Sequence, residues 1–420
     1  MSTEDRTDRA GRPFDVVVWG ATGFTGRLVT EYLAGKEGVR LAMAGRSHAK
    51  LTAVRSEIAA RVPGAAAAEL LVGDAADAAS LDAITSKARV VCATVGPFAQ
   101  HGEPIVAACV QSRTDYCDIT GEPHFIRRII DAHHDAARAA GVRLVPTCGF
   151  DSIPSDLGTF VLAEHALTHS GRPLAEVRAY VTAAKGGMSG GTVASMLQLL
   201  DVAATDRSVR RVLGDPYGLS PDRANDLNTD GSDPLAPRWD EDAGGWAAPW
   251  IMAAINTRVV RRSNALFGHR YGKGFRYTES LLRRGRVAGG IQAGLMSAGM
   301  GAAIALLSAS PAVRRFAGSK LPSSGQGPSR AEREAGFFKL RLYGVLEGET
   351  RPSLLARVDG KGDPGYAATA RMLGESALCL ASDDAQPGFE GGVLTPATAL
   401  GMHLVDRLSR QDISFEVTSL

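Results

Sequence analysis

The sequence predicts an α/β fold class: a doubly wound parallel sheet followed by a second, α+β domain. Three observations predict it. An apolar, β-branched run at residues 14–19 passes directly into glycines at three-residue spacing, Gly20, Gly23 and Gly26. Strand-like runs then alternate with helical patterns as far as residue 150, the signature of a parallel sheet wrapped by helices. Beyond that point stretches such as residues 336–348 alternate apolar and polar positions, as antiparallel strands with one wet face do.

The first run reads as an interior strand, because a strand covered on both faces is continuously apolar. Phe24, Leu28, Val29, Tyr32 and Leu33 follow near helical spacing, so the glycines fall where strand passes into helix. Glycine permits a positive φ and leaves no Cβ between the turn and a pyrophosphate, while a helix N-terminus offers unpaired N–H groups to an anion. The spacing GxxGxxG differs from the common GxGxxG and is a weak signal until its context is found. That context comes about 20 residues later. Residues 39–44 read as a second strand ending in Gly45-Arg46-Ser47. Where an NAD site sets an acidic residue against the ribose 2′-hydroxyl, this chain offers a guanidinium and a hydroxyl, partners for a 2′-phosphate, so NADP (NADPH) is the expected cofactor. A third strand, residues 69–72, leads to Gly73-Asp74, with Asp74 a candidate adenine contact. A fourth breaks at Gly96-Pro97, a fifth unit holds residues 115–118, and a sixth strand spans residues 142–147. Residues 1–13 read as a polar, flexible tail, 14–150 as a Rossmann-type dinucleotide-binding domain, and 151–420 as a substrate and dimerisation domain.

At 420 residues two domains are the prior expectation. With 47 basic against 45 acidic residues, net charge +2, and no basic block, nucleic acid is excluded as a partner class. The five cysteines (Cys92, Cys109, Cys117, Cys148, Cys379) form no CxxC pair and no metal spacing, which fits a reduced, cytoplasmic protein without a bound metal. Residues 287–313 carry no charge and are flanked by arginines. Their length and small-residue content leave three readings open: a buried or oligomer-forming helix, a membrane-surface element at the inner face of the plasma membrane, or a span.

The second half opens with a strand around residues 175–184 and a glycine-rich turn into a helix. Residues 201–250 turn to Asp, Pro, Gly and Asn, giving a long irregular connection, a lid or an insertion, with Trp246 and Trp250 as anchors. Residues 319–334 read as a solvated loop, and the run from 336 continues into a hairpin. Thr395 as N-cap and Pro396 at the first helical position open a late helix, and residues 413–417 close the chain as a strand.

No catalytic dyad stands out. Tyr32 and Lys36 match the Tyr-x-x-x-Lys of short-chain reductases, but they fall beside the phosphate turn, far from the nicotinamide end, and are set aside. Cys92, His101, Tyr116, Asp118, Glu122, Cys148 and Asp151 stand at strand ends. Tyr116 is the candidate proton donor, against its reading as a buried, hydrogen-bonded tyrosine. Asp151-Ser152 reads equally well as a helix cap.

In order, GATGFTG (20–26), AGR (44–46), VGPF (95–98), DYCDITGE (115–122), GFDSIPSDLG (149–158), SGGTVAS (189–195) and GGVLTPATALG (391–401) resemble the saccharopine dehydrogenase-like oxidoreductases. They are most similar to the branch that includes mycobacterial trans-acting enoyl reductases. The resemblance implies a Rossmann domain, then an α+β domain that often contributes to a homodimer. It implies that Gly20, Thr22, Gly23, Phe24, Thr25 and Gly26 hold the pyrophosphate and that Arg46 and Ser47 meet the 2′-phosphate. Val95, Gly96 and Pro97 would lie by the nicotinamide ribose, with Thr120 and Gly121 nearby. The implied activity is reduction of the double bond of an enoyl-thioester or lipid intermediate carried by a polyketide synthase. A non-catalytic nucleotide-binding or lipid-surface protein that keeps the fold is the alternative.

Overall fold

Strand β1 (Phe14–Trp19) divides its side chains between two cores, Val16 and Val18 facing one and Val17 and Trp19 the other. In this computed structural model the chain is described except at residues 1–10, 187–189, 222, 224–225, 228–229, 232, 320–326 and 383–388. Most of the expected tail lies outside the described residues, but Arg12 does not behave as tail. It is buried, and its guanidinium donates to the carbonyls of Ala88 and Ser112 and to Thr114 Oγ1, each at 2.6 Å.

After β1 come α1 (Phe24–Ala34), β2 (Leu41–Gly45), α2 (His48–Ala59), β3 (Glu69–Val72), α3 (Ala78–Thr85), β4 (Ala88–Ala93), α4 (Phe98–Gln111), β5 (Asp115–Asp118), α5 (Pro123–Ala140) and β6 (Arg143–Val145). The six strands are parallel in the order β6-β5-β4-β1-β2-β3, so the direction of winding reverses between β1 and β4. In such sheets ligands bind in the crevice at the carboxyl ends of the strands flanking that reversal. Leu81, Ile105, Phe125 and Ile129 of α3, α4 and α5 cover one face. Val29, Leu33, Leu51 and Val54 of α1 and α2 cover the other.

The second half continues with α6 (Ile153–Ser170), β7 (Leu174–Lys185), α7 (Gly190–Thr205), α8 (Arg207–Gly214), β8 (Arg238–Asp240), β9 (Gly245–Ala248), α9 (Ala253–Leu266), β10 (Arg276–Arg284), α10 (Arg286–Ala309) and α11 (Pro311–Ser319). Then follow α12 (Arg330–Glu334), β11 (Phe337–Leu346), β12 (Leu354–Lys361), α13 (Thr369–Ala381), β13 (Gly392–Val393), α14 (Pro396–Ser409) and β14 (Ile413–Ser419). The second sheet runs β14-β12-β11-β7-β10-β9-β8 and is antiparallel except where β10 lies parallel to β7.

The expected cut at residue 150 is corrected by the topology. β13 adds a seventh parallel strand beside β6, and α13 packs on α1, β1, β4 and β5, so residues near the C-terminus complete the first domain. A buried ion pair ties this closure together: Arg143 Nη2 reaches Asp115 at 2.5 Å and the Leu380 carbonyl of α13 at 2.8 Å. The expected irregular connection at 201–250 is also corrected. It contains the end of α7, α8, β8 and β9, and Trp239 and Trp246 meet edge to face across the β8–β9 pair with centroids 5.8 Å apart. The late helix begins as its sequence implies, with Thr395 and Thr398 forming a capping box and Pro396 in the first turn.

Candidate active site

The turn between β1 and α1 is built by two glycines that no other residue could replace. Gly20 has φ +91°, and a Cβ there would stand 2.5 Å from Val95 Cγ2. A Cβ on Gly26 would stand 2.2 Å from the Gly20 carbonyl oxygen, so α1 seats on the turn only because that Cβ is missing. Gly23 differs: its Cβ would meet only the Gly20 oxygen, at 3.4 Å, leaving open space where a phosphate would approach. It is the N-cap of α1 and carries no side-chain cap, so the first-turn N–H groups are available to an anion. The residues present fit a dinucleotide pyrophosphate. Phe24 forms a wall, with Tyr366 edge-on at 4.8 Å and the Arg333 guanidinium 5.5 Å from the ring centroid.

One strand over, at the end of β2, Arg46 is exposed and has no hydrogen bond or ion pair among the described residues. Ser47 is the N-cap of α2, accepting from Lys50 N at 3.3 Å. Asp74 shapes the turn after β3, accepting from Ala76 N at 3.0 Å.

On the other side of the reversal, Thr94 Oγ1 donates to the carbonyls of Trp19 (3.1 Å) and Gly20 (3.3 Å), fastening the β4 exit to the glycine turn. Val95, Gly96 and Pro97 follow at the surface of the crevice, joined by a cis Gly96–Pro97 bond. Glu122 holds the next helix in place. It is 2% exposed; Oε1 accepts from Phe98 N at 2.9 Å and Ser195 Oγ at 2.8 Å, and Oε2 accepts from Ala99 N at 2.9 Å. A carboxylate on the N-terminus of α4 satisfies two orphan amides and favours the helix dipole. Thr120 is buried, accepting from Glu122 N at 3.2 Å, while Gly121 remains partly exposed at the rim. The sequence places Glu122 among the strand-end residues without assigning it a role and does not single out Thr94; strand-end position, within DITGE and just before VGPF, is the only sequence signal for either.

Tyr116 does not reach the crevice. It lies wholly buried on the α4–α5 side of β5, and its hydroxyl donates to Asp118 Oδ2 at 2.8 Å. Burial first, then the Asp118 charge, raise its phenol well above the ordinary value. The proton-donor expectation is therefore corrected: a side chain pointing into a packed core cannot protonate a substrate in the cleft. Burial pushes Asp118 up to about 7, opposed by the hydrogen bonds from Thr120 N, Tyr116 and Thr147 N. Tyr32 and Lys36 are structural as expected, both bound to Glu375, the hydroxyl at 2.5 Å and the ammonium at 2.9 Å. His101 is exposed on α4, and Cys92, Cys117 and Cys148 are buried thiols.

Fold and crevice define an NADP-binding oxidoreductase. Residues 16–145 match the family model of the saccharopine dehydrogenase NADP binding domain. The chain is 42% identical over 422 residues to a Mycobacterium tuberculosis protein provisionally named a trans-acting enoyl reductase, covering 97% of this chain and 98% of that one. It is 37% identical over 423 residues to the trans-acting enoyl reductase of Mycobacterium ulcerans, covering 98% and 99%. The chain belongs to the trans-acting enoyl reductase family. Apo saccharopine dehydrogenase (L-Glu forming) from Saccharomyces cerevisiae shares the fold, with a TM-score of 0.53 at 14% identity over 96% of this chain and 99% of that one. Membership does not favour the non-catalytic alternative.

Proposed function

We propose that this protein reduces the carbon–carbon double bond of an α,β-unsaturated acyl thioester carried by a polyketide synthase during lipid assembly. The full-length likeness to trans-acting enoyl reductases carries the reading. NADPH supplies the hydride. Gly20, Thr22, Gly23, Phe24, Thr25 and Gly26 hold its pyrophosphate, Arg46 and Ser47 its 2′-phosphate, and Asp74 its adenine. Val95, Gly96, Pro97, Thr120 and Gly121 border the nicotinamide end. An amino dicarboxylate such as saccharopine would need free cations, and three arginines of α9 are already committed. Arg258 pairs with Asp233 at 3.2 Å, Arg261 with Asp230 at 2.6 Å, and Arg262 donates to the Leu219 and Val393 carbonyls at 2.6 Å. Loss of NADPH absorbance with an enoyl thioester tests the proposal; turnover of saccharopine or a 2-oxo acid alone would sink it.

Arg46→Asp is expected to weaken NADPH far more than NADH. A charge-assisted contact to phosphate is worth about 1.5–3 kcal/mol, hence roughly ten- to over a hundredfold in affinity. An equal loss for both cofactors, measured by titration, would make Arg46 merely structural.

The substrate's lipid character suggests an anionic membrane surface as a second partner, supported by α10. This 24-residue helix is long and apolar enough to cross a membrane, yet only 6% of its apolar window is buried. Exposure in the single chain speaks against a core helix and leaves an oligomer-forming helix as the alternative to the membrane surface. Val287, Ile291 and Leu295 form an exposed stripe at four-residue steps. Its first turns are docked: Gly289 is buried, Gly290 lies against Trp246, and Trp246 Nε1 donates to the Arg286 carbonyl at 2.9 Å. A helix anchored along a sheet in this way lies on a bilayer more readily than it crosses one. No acidic residue occurs between Glu279 and Glu332, while Arg284, Arg286 and Arg315 are exposed. Arg314 is excluded from the set of headgroup contacts, because it is buried and bonded to Asp201. Surface attraction of about 1 kcal/mol per arginine is screened by salt. Part of the protein should therefore sediment with anionic vesicles and be released by moderate salt. Retention after the wash would indicate a span, and absence from the vesicle pellet would remove the membrane role.

A further inference from the structure

The enoyl reductase reading leaves one carboxyl of the crevice without a task. Asp151 follows β6 at the carboxyl edge of the parallel sheet, beside the partly exposed Gly121 at the end of β5. A Cβ built on Gly121 would stand 3.9 Å from Asp151 Oδ2 and 3.6 Å from Met252 Cε. The residues on either side are pinned. Phe150 N donates to Thr369 Oγ1 at 3.0 Å, and Ser152 Oγ donates to Asn256 Oδ1 at 3.0 Å. Asn256 in turn donates to Glu279 at 2.8 Å, which also accepts the Tyr277 hydroxyl at 2.8 Å. Asp151 itself has no hydrogen bond or ion pair among the described residues, and Ser152, the N-cap of α6, makes no side-chain cap. The capping reading of the pair therefore fails, and what remains is a rigid backbone presenting one unpartnered carboxyl at the rim. Desolvating a carboxyl without a partner is unfavourable, and such groups concentrate where chemistry requires them.

We propose, on the basis of the enoyl reductase reading, that Asp151 is the proton donor that completes the reduction at the α-carbon of the acyl thioester. Hydride addition at the β-carbon moves the alkene electron pair to the α-carbon and thioester oxygen as an enolate. The O–H bond of the Asp151 carboxyl then breaks as the α-C–H bond forms, and the carboxylate regains its proton from water. Burial pushes this carboxyl up to about 6, near the pH at which a general acid is useful. No charge among the described residues opposes that shift: Asp118 and Glu122 on the β5 side are bound to backbone amides, and Arg258, Arg261 and Arg262 of α9 bind elsewhere. An unfolded aspartate titrates near about 3.9. With the folded value higher, the contribution of Asp151 to stability is full below about pH 4 and is lost as pH rises through about 6.

The test compares wild type and Asp151→Asn with NADPH and a 2-methyl-2-butenoyl N-acetylcysteamine thioester in D₂O. The variant should bind NADPH within about twofold of wild type while kcat falls roughly 10²–10⁴-fold. Its residual product should carry α-deuterium on both faces, where wild type gives one. Its melting temperature should exceed that of wild type at pH 8, with the gap closing toward pH 4–5; a merely structural aspartate would lower it. A variant active within threefold, with one-faced deuterium, overturns this inference and leaves the reductase intact. A wild type inert toward the thioester overturns the reductase reading and this inference with it.

Discussion

Gly26→Ala is expected to weaken NADPH binding more than a hundredfold, beyond about 2.7 kcal/mol, and to destabilise the fold by about 1–3 kcal/mol. The added methyl would stand 2.2 Å from the Gly20 carbonyl oxygen and 2.9 Å from Thr94 Oγ1. Neither neighbour can yield cheaply. Gly20 is held at φ +91°, its oxygen accepts from Gly23 N at 2.9 Å and from Thr94 Oγ1 at 3.3 Å, and Thr94 also holds the Trp19 carbonyl. The start of α1 must therefore lift, and the amides that would face the pyrophosphate lift with it. Gly301→Ala is the control, since a Cβ there meets nothing within 4 Å. In an exposed helix that exchange should stabilise by up to about 1 kcal/mol. Calorimetric titration with NADPH and thermal melting check both, and a Gly26→Ala affinity within threefold of wild type would refute the cradle.

Glu122→Gln should cost about 3 kcal/mol in denaturant unfolding and lower NADPH affinity at the same time. Both oxygens of Glu122 are occupied by donors in a dry site, at 2.9, 2.8 and 2.9 Å. An amide turns one acceptor into a donor, and since each oxygen accepts from a backbone N–H, either Phe98 N or Ala99 N loses its partner, while the Ser195 hydroxyl can turn to accept from the amide. The helix N-terminus also loses its negative charge. A hydrogen bond to a charged group contributes about 1.5–3 kcal/mol, and a buried charge at a helix terminus up to about 2 kcal/mol. Ser195→Ala removes one neutral donor and should cost about half as much. If Glu122→Gln matched Ser195→Ala, the amides of α4 would not depend on the carboxylate.

The glycine turn was legible because its requirements are local: a positive φ, a missing Cβ and an apolar strand are properties of neighbouring residues. The N-cap at Thr395 and the strand at residues 69–72 were legible for the same reason. β13 was not. Its two residues pair with β6 across roughly 250 residues of chain, and a two-residue strand has no periodicity to announce it. Tyr116 shows the same boundary within one strand. Alternation implies that Tyr116 and Asp118 share a face, but which core receives that face depends on α4 and α5, which the strand's own sequence does not encode.

The sequence by itself determined the parallel dinucleotide fold, the phosphate turn, the cationic end of β2 and the family, because each rests on short-range geometry and residue chemistry. Tertiary packing alone decided that Glu122 anchors α4 and that Asp151, partly exposed at the rim, has no polar partner among the described residues. It also decided that α10 shows its apolar stripe to solvent. Desolvation and exposure are set by what distant segments bring alongside, here Ser195, Met252 and Trp246, and a glutamate, an aspartate or a run of small apolar residues reads identically until those neighbours arrive.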